Sequence, residues 1–141
     1  MANFDIESSC HKNNIKMIGV DEAGRGSWAG PLVATACWID FSNHKLLHSD
    51  INDSKKLKLP YNNISPLVEG DSKSKTIALA SIIAKETRDS IMRNYSYMYP
   101  YYHLENNFGY GTYMHKKAIL RYGISKLHRK SFKPISTIYR Q

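Results

Sequence analysis

Cysteine is scarce in this chain: Cys10 and Cys37 are the only two in 141 residues. Two such isolated cysteines build neither a disulfide framework nor a zinc pattern, and they fit a reducing compartment. Long hydrophobic runs are missing as well. The longest apolar stretch, Pro31 to Ile39, falls far short of the roughly 20 residues that a membrane span needs. The first residues carry Asp5 and Glu7 and no apolar core segment, so no signal peptide is expected and the cytoplasm is the expected location. Acidic side chains are few, 12 against 20 lysines and arginines, which leaves a formal net charge of +8. That balance favours an anionic partner, with nucleic acid ahead of a membrane surface. Internal repeats and low-complexity segments are absent, and a hydrophobic content of 42% excludes wholesale disorder. The length suits one domain with a real core.

What is present is concentrated in Ile18-Gly19-Val20-Asp21-Glu22-Ala23-Gly24-Arg25-Gly26. An apolar run ends in two adjacent carboxylates and then a glycine-arginine-glycine turn. Successive strand side chains point to opposite faces, so Asp21 and Glu22 can converge only where the strand breaks up. Gly24 and Gly26 are suited to break it. Converging carboxylates repel unless a cation or a shared proton intervenes, and a hard divalent ion such as Mg²⁺ is the usual remedy. The competing reading is a solvated acidic turn.

Along the chain, residues 1–15 read as a flexible lead-in and 16–141 as a single domain. Lys16 to Val20 reads as a short strand, and Leu32 to Ile39 as a largely buried second strand, antiparallel to the first. Asp71, Ser72 or Ser74 can cap a helix running to about Tyr95, with Ile77, Ala80, Ala84 and Ile91 on its apolar face. Pro100 to Asn107 reads as loop. Thr112 can cap a second helix that Gly123 ends. Ten tyrosines among many basic residues suit phosphate contact combined with stacking.

The motifs together resemble the type 2 ribonucleases H, and bacterial ribonuclease HII in particular. The resemblance is carried by Asp21-Glu22-Ala23-Gly24-Arg25-Gly26 with Ala29-Gly30-Pro31, and by Asp53-Ser54-Lys55-Lys56-Leu57. It continues in Gly70-Asp71-Ser72-Lys73-Ser74 with Ala80 to Lys85 and Arg88-Asp89, in Gly109-Tyr110-Gly111-Thr112 with His115, and in His128-Arg129-Lys130-Ser131-Phe132. These pieces stand in family order and cover most of the chain beyond residue 16.

The resemblance implies an α/β, ribonuclease H-like fold, a mixed β-sheet flanked by helices. It implies endonucleolytic cutting of RNA in RNA–DNA hybrids, and 5′ of single ribonucleotides in duplex DNA, by a monomer using Mg²⁺ or Mn²⁺. Asp21, Glu22 and Asp71 are then the catalytic, metal-binding carboxylates. Gly24, Arg25 and Gly26 bind substrate: glycine lets backbone amides reach a 2′-hydroxyl, and Arg25 can clamp a phosphate. Tyr110 resembles the family's tyrosine that packs on the sugar at the ribo–deoxyribo junction; the alternative is a core tyrosine in a loop. Lys55, Lys73 and Arg129 are either phosphate contacts or solvated charges. His115 and His128 read as structural.

The chain also departs from the family. A long segment, with a helix, a central strand and an Asp-Gly-Asn triplet, normally separates the Asp-Ser-Lys-Lys-Leu and Gly-Asp-Ser-Lys-Ser motifs. Here thirteen residues lie between Leu57 and Asp71, and no Asp-Gly-Asn occurs. The expected fold therefore lacks a central strand and helix, with the shortening at about 57–60, and the site lacks its third core aspartate. Asp53 is the candidate replacement if Leu46 to Asn52 takes the lost strand's place. The alternative to a working nuclease is a catalytically impaired remnant that binds hybrid nucleic acid without turnover.

Overall fold

A computed structural model describes residues 2–40 and 65–139. Its elements in order are α1 (Asp5–Lys12), β1 (Ile18–Ala23), β2 (Val33–Trp38), α2 (Gly70–Lys73) and α3 (Lys75–Met98). A 3₁₀ turn (Pro100–Tyr102), α4 (Leu104–Asn107), α5 (Tyr113–Tyr122) and α6 (Ile135–Tyr139) follow. The fold is α/β, and among the described residues the sheet is the antiparallel pair β1–β2 rather than a full mixed sheet. This agrees with a shortened ribonuclease H-like fold.

The chain divides into two compact units, Met1–Glu22 with Ala34–Ala84, and Ala23–Val33 with Lys85–Gln141. In the first unit, residues expected as a lead-in form α1, and a reason lies in Glu7. Its buried carboxylate accepts hydrogen bonds at Oε1 from Ser74 Oγ (2.6 Å) and the Thr76 amide (2.9 Å). It thus caps the amino end of α3 from another segment, satisfying an amide that the helix itself leaves without a partner. Burial pushes the Glu7 pKa up, but these hydrogen bonds outweigh it and hold the carboxyl below its ordinary value. Gly19 lets β1 approach the same helix end: a Cβ there would lie 2.7 Å from backbone atoms of Thr76 and Ile77.

The second strand differs from its expected burial. Thr35 and Cys37 face inward while Ala34 and Trp38 are exposed, so β2 alternates as a one-sided strand does. The described buried residues of this unit are small or polar: Gly19, Gly70, Ala80, Ala84, Cys37, Thr35, Ser74, Thr76 and Glu7. The apolar core belongs to the second unit. Met92, Tyr102, Leu104, Ala118, Ile119 and Ile135 form it, with Trp28, Phe108 and Leu127 packed against them. Thr112 caps α5 through its hydroxyl, which accepts the His115 amide at 3.3 Å, and Gly123 ends that helix, both as the sequence predicts. The stretch expected as loop before it contains two single turns of helix.

Candidate functional site

The carboxylate pair lies on β1, which runs unbroken through Ala23. The expected break after Val20 therefore comes three residues later, and Asp21 and Glu22, as successive strand residues, face opposite sides. Both are half-buried, and Asp21 Oδ1 accepts the Glu22 amide at 2.8 Å. Asp71 is exposed on the single turn α2. Ser74 is extended between that turn and α3, so the long helix begins beyond Asp71. Among the described residues, no three His, Cys, Asp or Glu side chains stand close enough to hold a metal ion. Asp21, Glu22 and Asp71 are thus not gathered into one centre. Carboxylate oxygens are the correct donors for a hard divalent cation, but the ligand set among the described residues is incomplete. Asp53, Lys55 and the segment from Leu46 to Asn52 lie outside the described residues.

The second unit holds the glycine-rich loop, and its geometry is tightly determined. Two arginines bind the loop's carbonyls from behind. Arg88, 1% exposed, donates from Nε to Pro31 O (3.0 Å) and from Nη2 to Ala29 O (3.2 Å). Arg129 donates from Nη1 to Gly24 O (2.8 Å) and Arg25 O (3.1 Å), and from Nε and Nη2 to Gly30 O at 3.1 and 3.0 Å. A planar guanidinium presents five donors in a rigid fork, which suits it to hold a bent backbone. Arg129, read from sequence as either a phosphate contact or a solvated charge, thus has its donors turned on the loop itself. Lys73, read the same way, donates Nζ to Val68 O at 2.8 Å.

Gly24 has φ +91°, and a Cβ on it would collide with Arg88 Nε and lie 2.8 Å from Pro31 O. Gly26 is different: a Cβ there would meet no atom within 4 Å. Arg25 between them is exposed.

The Gly109-Tyr110-Gly111 segment is tied to the same loop. Gly109 O accepts the amides of Trp28 (2.8 Å) and Ala29 (3.2 Å). A Cβ on Gly109 would strike Ala29 O, and one on Gly111 would strike the Trp28 ring. Tyr110 itself is 43% exposed, so it is not a core tyrosine. The Arg88 guanidinium carbon lies 5.2 Å from the Tyr110 ring centroid, a cation–π distance. Gly24 and Tyr110 therefore pack on one guanidinium.

A network that sequence reading missed supports Tyr110 from below. His115 Nδ1 lies 2.8 Å from Tyr110 O, and His115 Nε2 lies 3.2 Å from His128 Nε2. The Ser125 amide donates to His128 Nδ1 at 2.9 Å. These partners fix the tautomers: His128 carries its proton on Nε2 and donates it to His115 Nε2, while His115 donates Nδ1–H to the Tyr110 carbonyl. Both imidazoles are buried. Burial, reinforced by the neighbouring His115, pulls the His128 pKa from 6.5 to about 4. Burial likewise lowers that of His115. His128 lies 13 positions beyond His115, so no local pattern announces the pair. Arg88 was visible only as part of a matching piece, without its role.

A family model for Ribonuclease HII matches residues 18–69 and 58–135 of the chain. Ribonuclease HII of Clostridium tetani is 34% identical, with 85% of this chain and 68% of that protein covered. The Acholeplasma laidlawii Ribonuclease HII is 33% identical over 87% of this chain and 90% of its own length. That of Staphylococcus saprophyticus is 30% identical over 98% and 77%. The aligned spans, 185 to 200 positions, exceed the 141 residues of this chain, so these relatives carry a segment that it does not have. The family model matches in two stretches that both include residues 58–69, which puts the break at or beside that segment.

Proposed function

This chain belongs to the ribonuclease HII family, and on that footing we propose that it is a hydrolytic endoribonuclease of RNA–DNA hybrids. Its finer substrate is the RNA strand of such hybrids and the 5′ side of single ribonucleotides in duplex DNA. The observation that carries this reading is the pairing of an exposed Tyr110 with a glycine loop fixed against the same Arg88 guanidinium. Among the described residues nothing would obstruct a side chain at Gly26; room for a ligand's sugar–phosphate backbone accounts for its being glycine.

Each residue then has a task. The Gly24-Arg25-Gly26 backbone reads the ribose 2′-hydroxyl, since only a residue without a Cβ admits so close an approach. Arg25 holds a phosphate, and Tyr110 packs against the sugar at the junction. On this reading Asp21, Glu22 and Asp71 are the catalytic carboxylates; because they are not gathered into one centre here, they would hold Mg²⁺ or Mn²⁺ only once brought together with a further ligand. A divalent cation, if held by these carboxylates, would supply charge neutralisation at the scissile phosphate and make a nearby water more acidic. A second reading is favoured by the incomplete ligand set among the described residues: a chain that binds the hybrid without turning it over.

One experiment separates them. A DNA duplex carrying a single ribonucleotide is incubated with the protein and Mg²⁺ or Mn²⁺. Cleavage that is abolished by chelation, and lost in Asp21→Asn and Glu22→Gln, supports the nuclease. Retained binding without cleavage at high protein concentration sinks it in favour of the second reading. If cleavage occurs, Asp53→Asn decides whether that residue supplies the missing carboxylate.

A further inference from the structure

The segment 125–130 reaches the two substrate-reading segments from one short stretch of backbone. Its main chain is pinned by the Arg129 amide donating to Trp28 O at 2.7 Å, and by the Gly30 amide donating to Leu127 O at 3.0 Å. From there neighbouring side chains go to different targets. Arg129 donates four hydrogen bonds to the carbonyls of Gly24, Arg25 and Gly30. His128 turns to His115, which holds the Tyr110 carbonyl. All the acceptors are uncharged, and His128 is buried, so the histidine is not placed to touch a ligand. The rings of Tyr102 and Trp28 enclose the pair: Tyr102 lies edge-on to His128 at 5.0 Å and Trp28 is tilted against His115 at 5.8 Å.

We infer that the His128-Arg129 dipeptide is the positioning element that sets the Gly24–Gly30 loop and Tyr110 in one register, and is thereby a determinant of ribonucleotide specificity. The inference rests on the substrate proposed above. It assigns Arg129 a role opposite to that of a phosphate contact, and the two roles separate on Arg129→Lys. A lysine keeps the positive charge, so a phosphate contact would largely survive. It cannot span the carbonyls of residues 24, 25 and 30, so a positioning fork would be lost. In the same way His128→Gln keeps a donor but cannot reproduce a ring that joins the Ser125 amide to His115.

The test measures equilibrium binding of the full chain to two DNA duplexes of one sequence, all-deoxy or with a single ribonucleotide, in Ca²⁺. The expected result is that the unsubstituted chain prefers the ribonucleotide duplex. Arg129→Lys and His128→Gln should each reduce that preference on the order of tenfold or more, while all-DNA affinity falls by a clearly smaller factor. Preference retained in both variants overturns the inference, as does an equal loss of affinity for both duplexes. An unsubstituted chain without any preference overturns the substrate reading instead, and the inference with it. A second measurement does not depend on the variants folding. Imidazole ¹⁵N resonances of the unsubstituted chain at neutral pH should show the Nε2–H tautomer at His128 and Nδ1–H at His115; the reverse pattern, or charged rings, overturns the positioning of Tyr110 through His128 and with it the inference.

Discussion

A methyl group on Gly24 would run into the Arg88 guanidinium, whereas one on Gly26 would meet no atom within 4 Å. Gly24→Ala also imposes a Cβ at φ +91°, so it should cost roughly 1–3 kcal/mol of stability, read by urea unfolding. Gly26→Ala should leave stability within about 0.5 kcal/mol and still weaken binding of a ribonucleotide-containing duplex. Equal stability losses in the two variants would contradict the assignment of Gly26 to a ligand. His128 makes a second prediction at this scale. Its folded pKa of about 4 lies below the ordinary 6.5, so the unfolded chain binds the proton more readily. The stability tied to its neutral form is complete above pH 6.5 and is lost as the pH falls towards 4, roughly 3 kcal/mol at most. Thermal melts across that window should show a downward slope on acidification that His128→Gln flattens.

At the scale of elements, α3 depends on a side chain far away in sequence. Glu7→Ala removes the acceptor for Ser74 Oγ and the Thr76 amide, and should destabilise the protein by about 1–3 kcal/mol. Glu7→Gln keeps an acceptor oxygen and should lose less. Because the Glu7 pKa is held down by these bonds, its contribution is present above the ordinary carboxyl range and disappears as pH falls through the folded value. Much of the architecture was legible. The carboxylate-bearing strand, its antiparallel partner, the long helix and the Thr112 cap each follow from local patterns of apolar spacing and capping chemistry. What escaped depends on contacts distant in sequence. A polar lead-in became α1 because Glu7 has a helix end to bind 67 residues away. The strand ran on past Val20 since β2 pairs with it, which parted the two carboxylates. Arg88 sits on the buried face of α3, four residues beyond Ala84; nothing in its surroundings says that a charged side chain belongs there until the loop carbonyls are in place.

For the molecule as a whole, a net charge of +8 gives a further expectation. Binding to an all-DNA duplex should weaken roughly tenfold or more between low and moderate salt, because phosphate contacts release counterions. A preference for a ribonucleotide should change far less, since in the proposed reading it rests on a hydroxyl and a sugar face. Titration of both duplexes against potassium chloride checks this; parallel loss of affinity and preference would mean that charge alone discriminates.

The chain has two tryptophans, and each compact unit holds one: Trp38 in the first, Trp28 in the second. Trp38 is 47% exposed, while Trp28 rests against His115 with ring centroids 5.8 Å apart. The protein therefore carries its own pair of optical probes. A proton gained by His115 should quench Trp28 and leave Trp38 unchanged, so Trp38→Phe isolates a fluorescence signal that watches the floor beneath Tyr110 without any added label.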